Sequence, residues 1–82
     1  MKYQEQNSKE IKEIIEKVKV AILPLGAVEA HGPHLPLGTD NYLSERIAEK
    51  LSENVECLVF PTLPYGQVWS LEEFPGSVSL SN

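Results

Sequence analysis

The sequence predicts an α/β fold with a mostly parallel sheet, and three observations predict it. Residues 20–25, Val-Ala-Ile-Leu-Pro-Leu, are continuously apolar and do not alternate, as a strand covered on both faces should be. A second strand-like run, Val-Glu-Cys-Leu-Val-Phe at 55–60, is stopped by Pro61. Between the two lies enough chain for a helical crossover, which parallel neighbours require and which is right-handed in nearly all proteins.

Taken in order, residues 1–7 are polar and expected to fray. Ser8 is placed to cap a helix running to about residue 17, with Ile11, Ile14, Ile15 and Val18 on one apolar face. The first strand covers residues 18–25, and Gly26 ends it. Residues 27–38 hold Gly32, Pro33, Pro36 and Gly38, and so form a stiff loop. Thr39 or Asp40 is expected to cap a second helix over about 41–53, with Leu43, Ile47, Ala48 and Leu51 as its apolar stripe and Glu45 and Arg46 turned outward. Residues 61–76 form a loop rich in Pro, Gly and aromatics, and loops at strand C-terminal ends are where α/β proteins place ligands. A third extended segment begins at 77–80. Two helices and two or three strands cannot cover both faces of a parallel sheet. The expectation is therefore a single partial domain, 1–82, that is the N-terminal piece of a larger domain or buries its open side against a partner.

Composition bounds the function. The 82 residues are 41% hydrophobic and 23% charged, ordinary globular values that argue against disorder. The net charge is −5, and the lysines at 9, 12, 17 and 19 alternate with Glu10, Glu13 and Glu16, so no basic patch exists to hold nucleic acid. The lone Cys57 sits in an apolar run and reads as a small buried side chain. The first residues lack the apolar core of a signal peptide, and the longest apolar run is far short of a membrane span. The expected location is the cytoplasm, with no membrane partner.

The chemistry concentrates between the first strand and the second helix. Glu29, His31, His34 and Asp40 offer two carboxylates and two imidazoles, donors suited to divalent Zn, Mn or Fe. Glu29 and His31 are two apart, so an extended backbone points them to the same side. Asp40 follows a loop stiffened by two prolines, which lowers the entropy lost in fixing a ligand. Its two oxygens allow it to bridge two metals. The plain alternatives are that Asp40 is a helix cap and each His a hydrogen-bonded surface side chain.

The run Leu23-Pro24-Leu25-Gly26-Ala27-Val28-Glu29-Ala30-His31-Gly32-Pro33-His34-Leu35-Pro36-Leu37-Gly38-Thr39-Asp40 resembles the N-terminal signature of the creatininase (creatinine amidohydrolase) family. Tyr65-Gly66 and Phe74-Pro75-Gly76-Ser77-Val78-Ser79-Leu80 resemble the family's next two motifs, in the same order. The resemblance implies a three-layer α/β/α sandwich with a mostly parallel sheet, incomplete in this chain. It implies hydrolysis of a C–N bond in a cyclic amide, a formamide or a small peptide, through water activated at two divalent ions (Zn, Mn or Fe). It implies that Glu29 binds one metal, His31 the other, and that Asp40 bridges them. His34 lies in the motif but does not match a family ligand, and support of the loop is its expected role.

Two departures from the family pattern bear on activity. The resemblance implies a further His and Glu ligand and an Asn-Gly-His motif beyond residue 82, so this chain alone is expected to be inactive. Leu71 stands where many members carry a His, which argues for a different substrate branch from creatinine. Tyr65, Trp69 and Ser70 are candidates for lining the substrate pocket, with Trp69 stacking on a flat amide or ring, or else for packing within their loop. The partners expected are a small-molecule amide and further copies of the chain in a homo-oligomer. The competing reading is a truncated, non-catalytic structural or assembly module. A metal-storage peptide is disfavoured by the absence of a dense His or Cys tract.

Overall fold

The computed structural model describes residues 1–80, except for the side chain of Ser70, so that candidate side chain lies outside the described residues. Helix α1 spans Ser8–Ile14, strand β1 Ala21–Ile22, helix α2 Thr39–Ser52 and strand β2 Leu58–Val59. The strands pair in parallel, Ala21 with Leu58 and Ile22 with Val59, so β1–α2–β2 is a crossover unit. The fold is α/β, as expected. The regular ladder is shorter than the apolar runs because Pro24, which faces β2, lacks the N–H that would extend it. Pairing resumes beyond that point: Leu63 N–H donates to Pro24 O, Gly26 N–H to Leu63 O, and Leu25 bridges Leu63 in parallel.

The N-terminal segment does not fray. Alternate groups of β2 face opposite neighbours. Leu58 and Phe60 N–H donate to Val20 and Ile22 O on one side. On the other, Val59 N–H donates to Met1 O, the Met1 amino group donates to Cys57 O, and Lys2 bridges Val59 in parallel. A short 3-10 turn, Tyr3–Glu5, then stacks Tyr3 on Phe60 at 4.2 Å between ring centroids. The polar composition of residues 1–7 hid this, because backbone groups and one aromatic ring do the binding.

Both caps differ from expectation. The cap of α1 is Asn7, whose side chain accepts from Glu10 N–H while Glu10 returns a bond to Asn7 N–H. That reciprocal box satisfies two orphan donors, and Ser8 becomes the first helical residue. Helix α2 begins after Gly38, which supplies no side-chain cap. The Thr39 hydroxyl turns back to donate to Pro36 O, so it does not cap forward, and Asp40 lies in the first turn.

Helix α2 also presents another face than its stripe suggests. Ala48 is buried at 2% exposure, but Leu43, Ile47 and Leu51 are 59%, 51% and 48% exposed. The covered face is Asn41, Ser44, Ala48 and Ser52, a row of small or hydrogen-bonding residues at helical spacing. Small side chains let α2 sit close on β2, and Leu58 and Cys57 are 4% and 1% exposed. Val18 and Val68 complete the buried apolar set among the described residues. No helix of these residues is long and apolar enough to cross a membrane.

This close packing leaves no room at Ala48. Ala48→Leu is expected to destabilise the fold by ~1–3 kcal/mol through overpacking, read as a lower urea midpoint at unchanged m-value.

Candidate metal centre

The parallel pair delivers two loops to one end of the sheet. The loop after β1 leaves at Gly26 and runs through Glu29 and His31 to α2. Its neck is closed by Glu29 N–H donating to Leu37 O at 3.1 Å. Gly32 turns the chain at φ +76°, a conformation glycine reaches without steric cost. The segment 77–80 then clamps the loop. Val78 N–H donates to Val28 O, and the Ser77 hydroxyl accepts from Ala30 N–H at 2.9 Å, between the two candidate donors. Gly76, at φ +87°, lets this segment lie against the Leu37 side chain at the loop's neck: a Cβ there would stand 2.5 Å from Leu37 Cδ1.

Within that frame, Glu29, His31 and Asp40 each offer a donor atom, and these atoms all lie within 4.8 Å of one another. All three are part-buried. His31 Nε2 is 3.3 Å from Asp40 Oδ1, and His31 Nδ1 is 3.1 Å from Glu29 O. A backbone carbonyl only accepts, so Nδ1 carries the proton of that bond. In the neutral ring, Nε2 then faces the Asp40 carboxylate with a lone pair. Two acceptors at that distance are stable only with a cation between them, either a proton or a metal. The His31 pKa is accordingly raised above its ordinary 6.5. The hydrogen bond to the Glu29 carbonyl is the largest cause, and the charges of Asp40 and Glu29 act in the same direction against a desolvation cost.

The donor chemistry fits a divalent ion. Donors held at ~2.0–2.2 Å from one ion stand roughly 3–4 Å apart, and the His31–Asp40 separation of 3.3 Å falls in that window. An Nδ1–H tied to a backbone carbonyl is also the usual second bond of a metal-ligating histidine.

The other candidates lie elsewhere. His34 is exposed, and its ring lies over Gly32, outside the cluster. Tyr65 and Trp69 are 45% and 57% exposed. A cavity of about 480 Å³ opens between the metal-site loop and the loop after β2, and its walls include Ala30, Gly32, Leu37, Leu71 and Phe74. Leu71, noted in the sequence only as a departure, thus lines this cavity, and Tyr65 and Trp69 are not among its walls. Ser77, Gly76 and Asn41 were also missed as supports, since hydroxyl and amide bonds between distant segments leave no local pattern.

An α/β unit with a carboxylate–imidazole cluster at the strand C-terminal end has that cluster where open α/β sheets place their ligands. Comparison with known proteins gives the lineage. The creatininase family profile, described as creatinine amidohydrolase, matches residues 4–82, and the chain belongs to this family. A mycofactocin precursor peptide peptidase of Mycolicibacterium smegmatis is 36% identical over 69 residues, 77% of this chain and 28% of that protein. A 3-dehydro-scyllo-inosose hydrolase of Thermotoga maritima is 34% identical over 64 residues, 78% of this chain and 21% of that one. The creatinine amidohydrolase of Pseudomonas putida is 35% identical over 66 residues, 74% and 25% respectively. The chain thus spans about a quarter of the length of these relatives. Among solved structures, a creatininase variant of Zn-Zn type superposes with a TM-score of 0.88 at 30% identity, covering 98% of this chain and 33% of that one. A Mn creatininase superposes at 0.87, covering 98% and 34%.

In the metal-free protein, the His31 ring is expected to titrate above 6.5, followed by NMR of its ring protons. Asp40→Asn should lower the midpoint only in part, because the Glu29 carbonyl remains. The sign follows from the raised folded-state pKa: the stability this group adds is present below the unfolded value and is lost as pH rises through the folded one.

Proposed function

We propose that Glu29, His31 and Asp40 are ligands in a metal-dependent hydrolase that cleaves a C–N bond of a cyclic amide, a formamide or a small peptide. The observation that carries this reading is the convergence of three donor groups within 4.8 Å. It is supported by membership of a family whose solved structures include Zn-Zn and Mn forms. Zn, Mn or Fe suits the mixed carboxylate and imidazole set.

The residues divide the work as follows. His31 offers Nε2, with its ring held by the Nδ1–H bond to Glu29 O. Asp40 turns Oδ1 toward His31; its carboxylate would be shared between two ions, with His31 a ligand of one and Glu29 a ligand of the other. Two carboxylates and a neutral imidazole carry charge −2, which would offset one divalent ion. Bound metal supplies Lewis acidity toward a carbonyl oxygen and lowers the pKa of water toward ~7. His34, Tyr65 and Trp69 hold no metal in this reading.

The substrate is a small amide. One neighbouring creatininase variant is described as complexed with creatine, and the named relatives include an amidohydrolase and a peptide peptidase. The exposed row Leu43, Ile47 and Leu51 offers an apolar face for a homo-oligomer. It also favours a second reading, a non-catalytic assembly module. Light scattering with metal analysis separates the two, since that module would associate without taking up metal.

Protein from the complete reading frame that contains this sequence, stripped with chelator and reloaded with Zn²⁺ or Mn²⁺, is expected to hold close to two ions per chain. His31→Ala and Asp40→Ala should lower hydrolysis by more than ~100-fold, beyond the 10–100-fold typical of outer residues. Less than one ion per chain, with no chelator-sensitive hydrolysis of creatinine, formamides or short peptides, defeats the reading.

A further inference from the structure

We infer that Asn41 is a positioning residue for the metal centre, fixing Asp40 by stitching the first turn of α2 to both strand-end loops. This rests on the ligand reading of Asp40 above.

Asn41 follows Asp40 directly, on the face of α2 that meets the sheet. Its Nδ2 donates to Pro64 O at 3.3 Å, in the loop after β2. Its Oδ1 is fully buried and has no hydrogen-bond partner. That oxygen stands 1.8 Å from where a Cβ on Gly26 would be, so it rests on the bare Cα of the loop after β1. One amide group therefore touches both loops at the point where they meet. The loops themselves are in contact there, a Cβ on Gly66 standing 3.3 Å from Gly26 O. One turn further on, the Ser44 hydroxyl donates to Leu25 O, a second stitch on the same face.

Little else fixes the start of this helix. Gly38 gives no side-chain cap, and the Thr39 hydroxyl bonds within its own loop. The His31–Asp40 contact is 3.3 Å long between side chains 23% and 38% exposed, too open to hold a helix in place. A buried amide oxygen without a partner is a cost that an apolar residue would remove. With Asn41 directly after Asp40 and touching both loops, that cost goes with the geometry it enforces. Gly26 shares the role as the residue whose missing side chain makes room for it.

The test uses protein from the complete reading frame, with Mn²⁺ affinity by titration calorimetry and the visible spectrum of the Co²⁺-loaded protein. Asn41→Ala is expected to weaken Mn²⁺ binding ~10–100-fold and to change the Co²⁺ spectrum. Asn41→Asp keeps the shape, so it serves if Asn41→Ala does not fold. It replaces the Nδ2–H donor with an oxygen facing Pro64 O. If Asn41 acted only through charge, the added anion would tighten Mn²⁺; a positioning role predicts weaker binding and an altered Co²⁺ spectrum. Wild-type affinity and spectrum in the variants, or tighter binding in Asn41→Asp, overturns this inference alone. A wild-type protein that binds neither Mn²⁺ nor Co²⁺ overturns the ligand reading, and this inference with it.

Discussion

The parallel register of Ala21 with Leu58 and Ile22 with Val59 is the constraint on which the rest of the chain depends. Parallel pairing sends both chains off the sheet at the same end. It therefore forces the loop after β1 and the loop after β2 to lie side by side, and it forces the intervening segment to return as α2. Only then are Glu29 and His31, on the first loop, opposite Asp40 on the first turn of α2. A shift of one residue would turn every side chain of β2 to the other face. Leu58 would leave its 4%-exposed position. The register is thus held by burial on one side and by the Met1 and Lys2 bonds on the other.

Given the register, the loops still need shape. Residues 29–37 close on themselves through Glu29 N–H to Leu37 O, and Ser77 and Val78 tie the same loop from 47 and 50 residues away. A typical hydrogen bond contributes about 1 kcal/mol net, so none of these alone could order twelve loop residues. Ordering comes from their coincidence with two prolines and with close backbone approaches at Gly26 and Gly76. Each glycine sits where a Cβ would strike a side chain of the same site region: Asn41 in one case and Leu37 in the other. The loop is rigid because its closures are geometric, not because any one is strong.

These facts explain what the sequence revealed and what it hid. The α/β class, the parallel pair, the crossover helix and the grouping of Glu29, His31 and Asp40 were legible, since apolar runs, helical spacing and a dense motif are local signals. The resemblance carried the division of ligand roles, which spacing alone left open between four residues. The helix face was misread. Leu43, Ile47 and Leu51 outweigh Asn41, Ser44 and Ser52 on any hydrophobic scale, yet close approach to β2 selects small side chains and leaves the leucines outside. The N-terminal segment was misread for a similar reason, because its binding groups are backbone atoms that composition does not register. At α1, Asn7 and Ser8 are both good caps, and Glu10 decides between them by standing three residues after Asn7.

The same distinction between local and distant causes applies to the charge at the centre. His31 is not made basic by burial, which opposes its charged form. Its ring is held by the carbonyl of a residue two positions away and aimed at a carboxylate nine positions away. The first is fixed by the extended backbone of its own segment, the second only by where α2 begins. Moving α2 by an ångström would leave the Glu29 bond intact and separate Nε2 from Oδ1. The ring would keep its orientation and lose its partner. The affinity of this corner for a cation is therefore set less by the residues of the motif than by the seating of the helix that brings Asp40 to it.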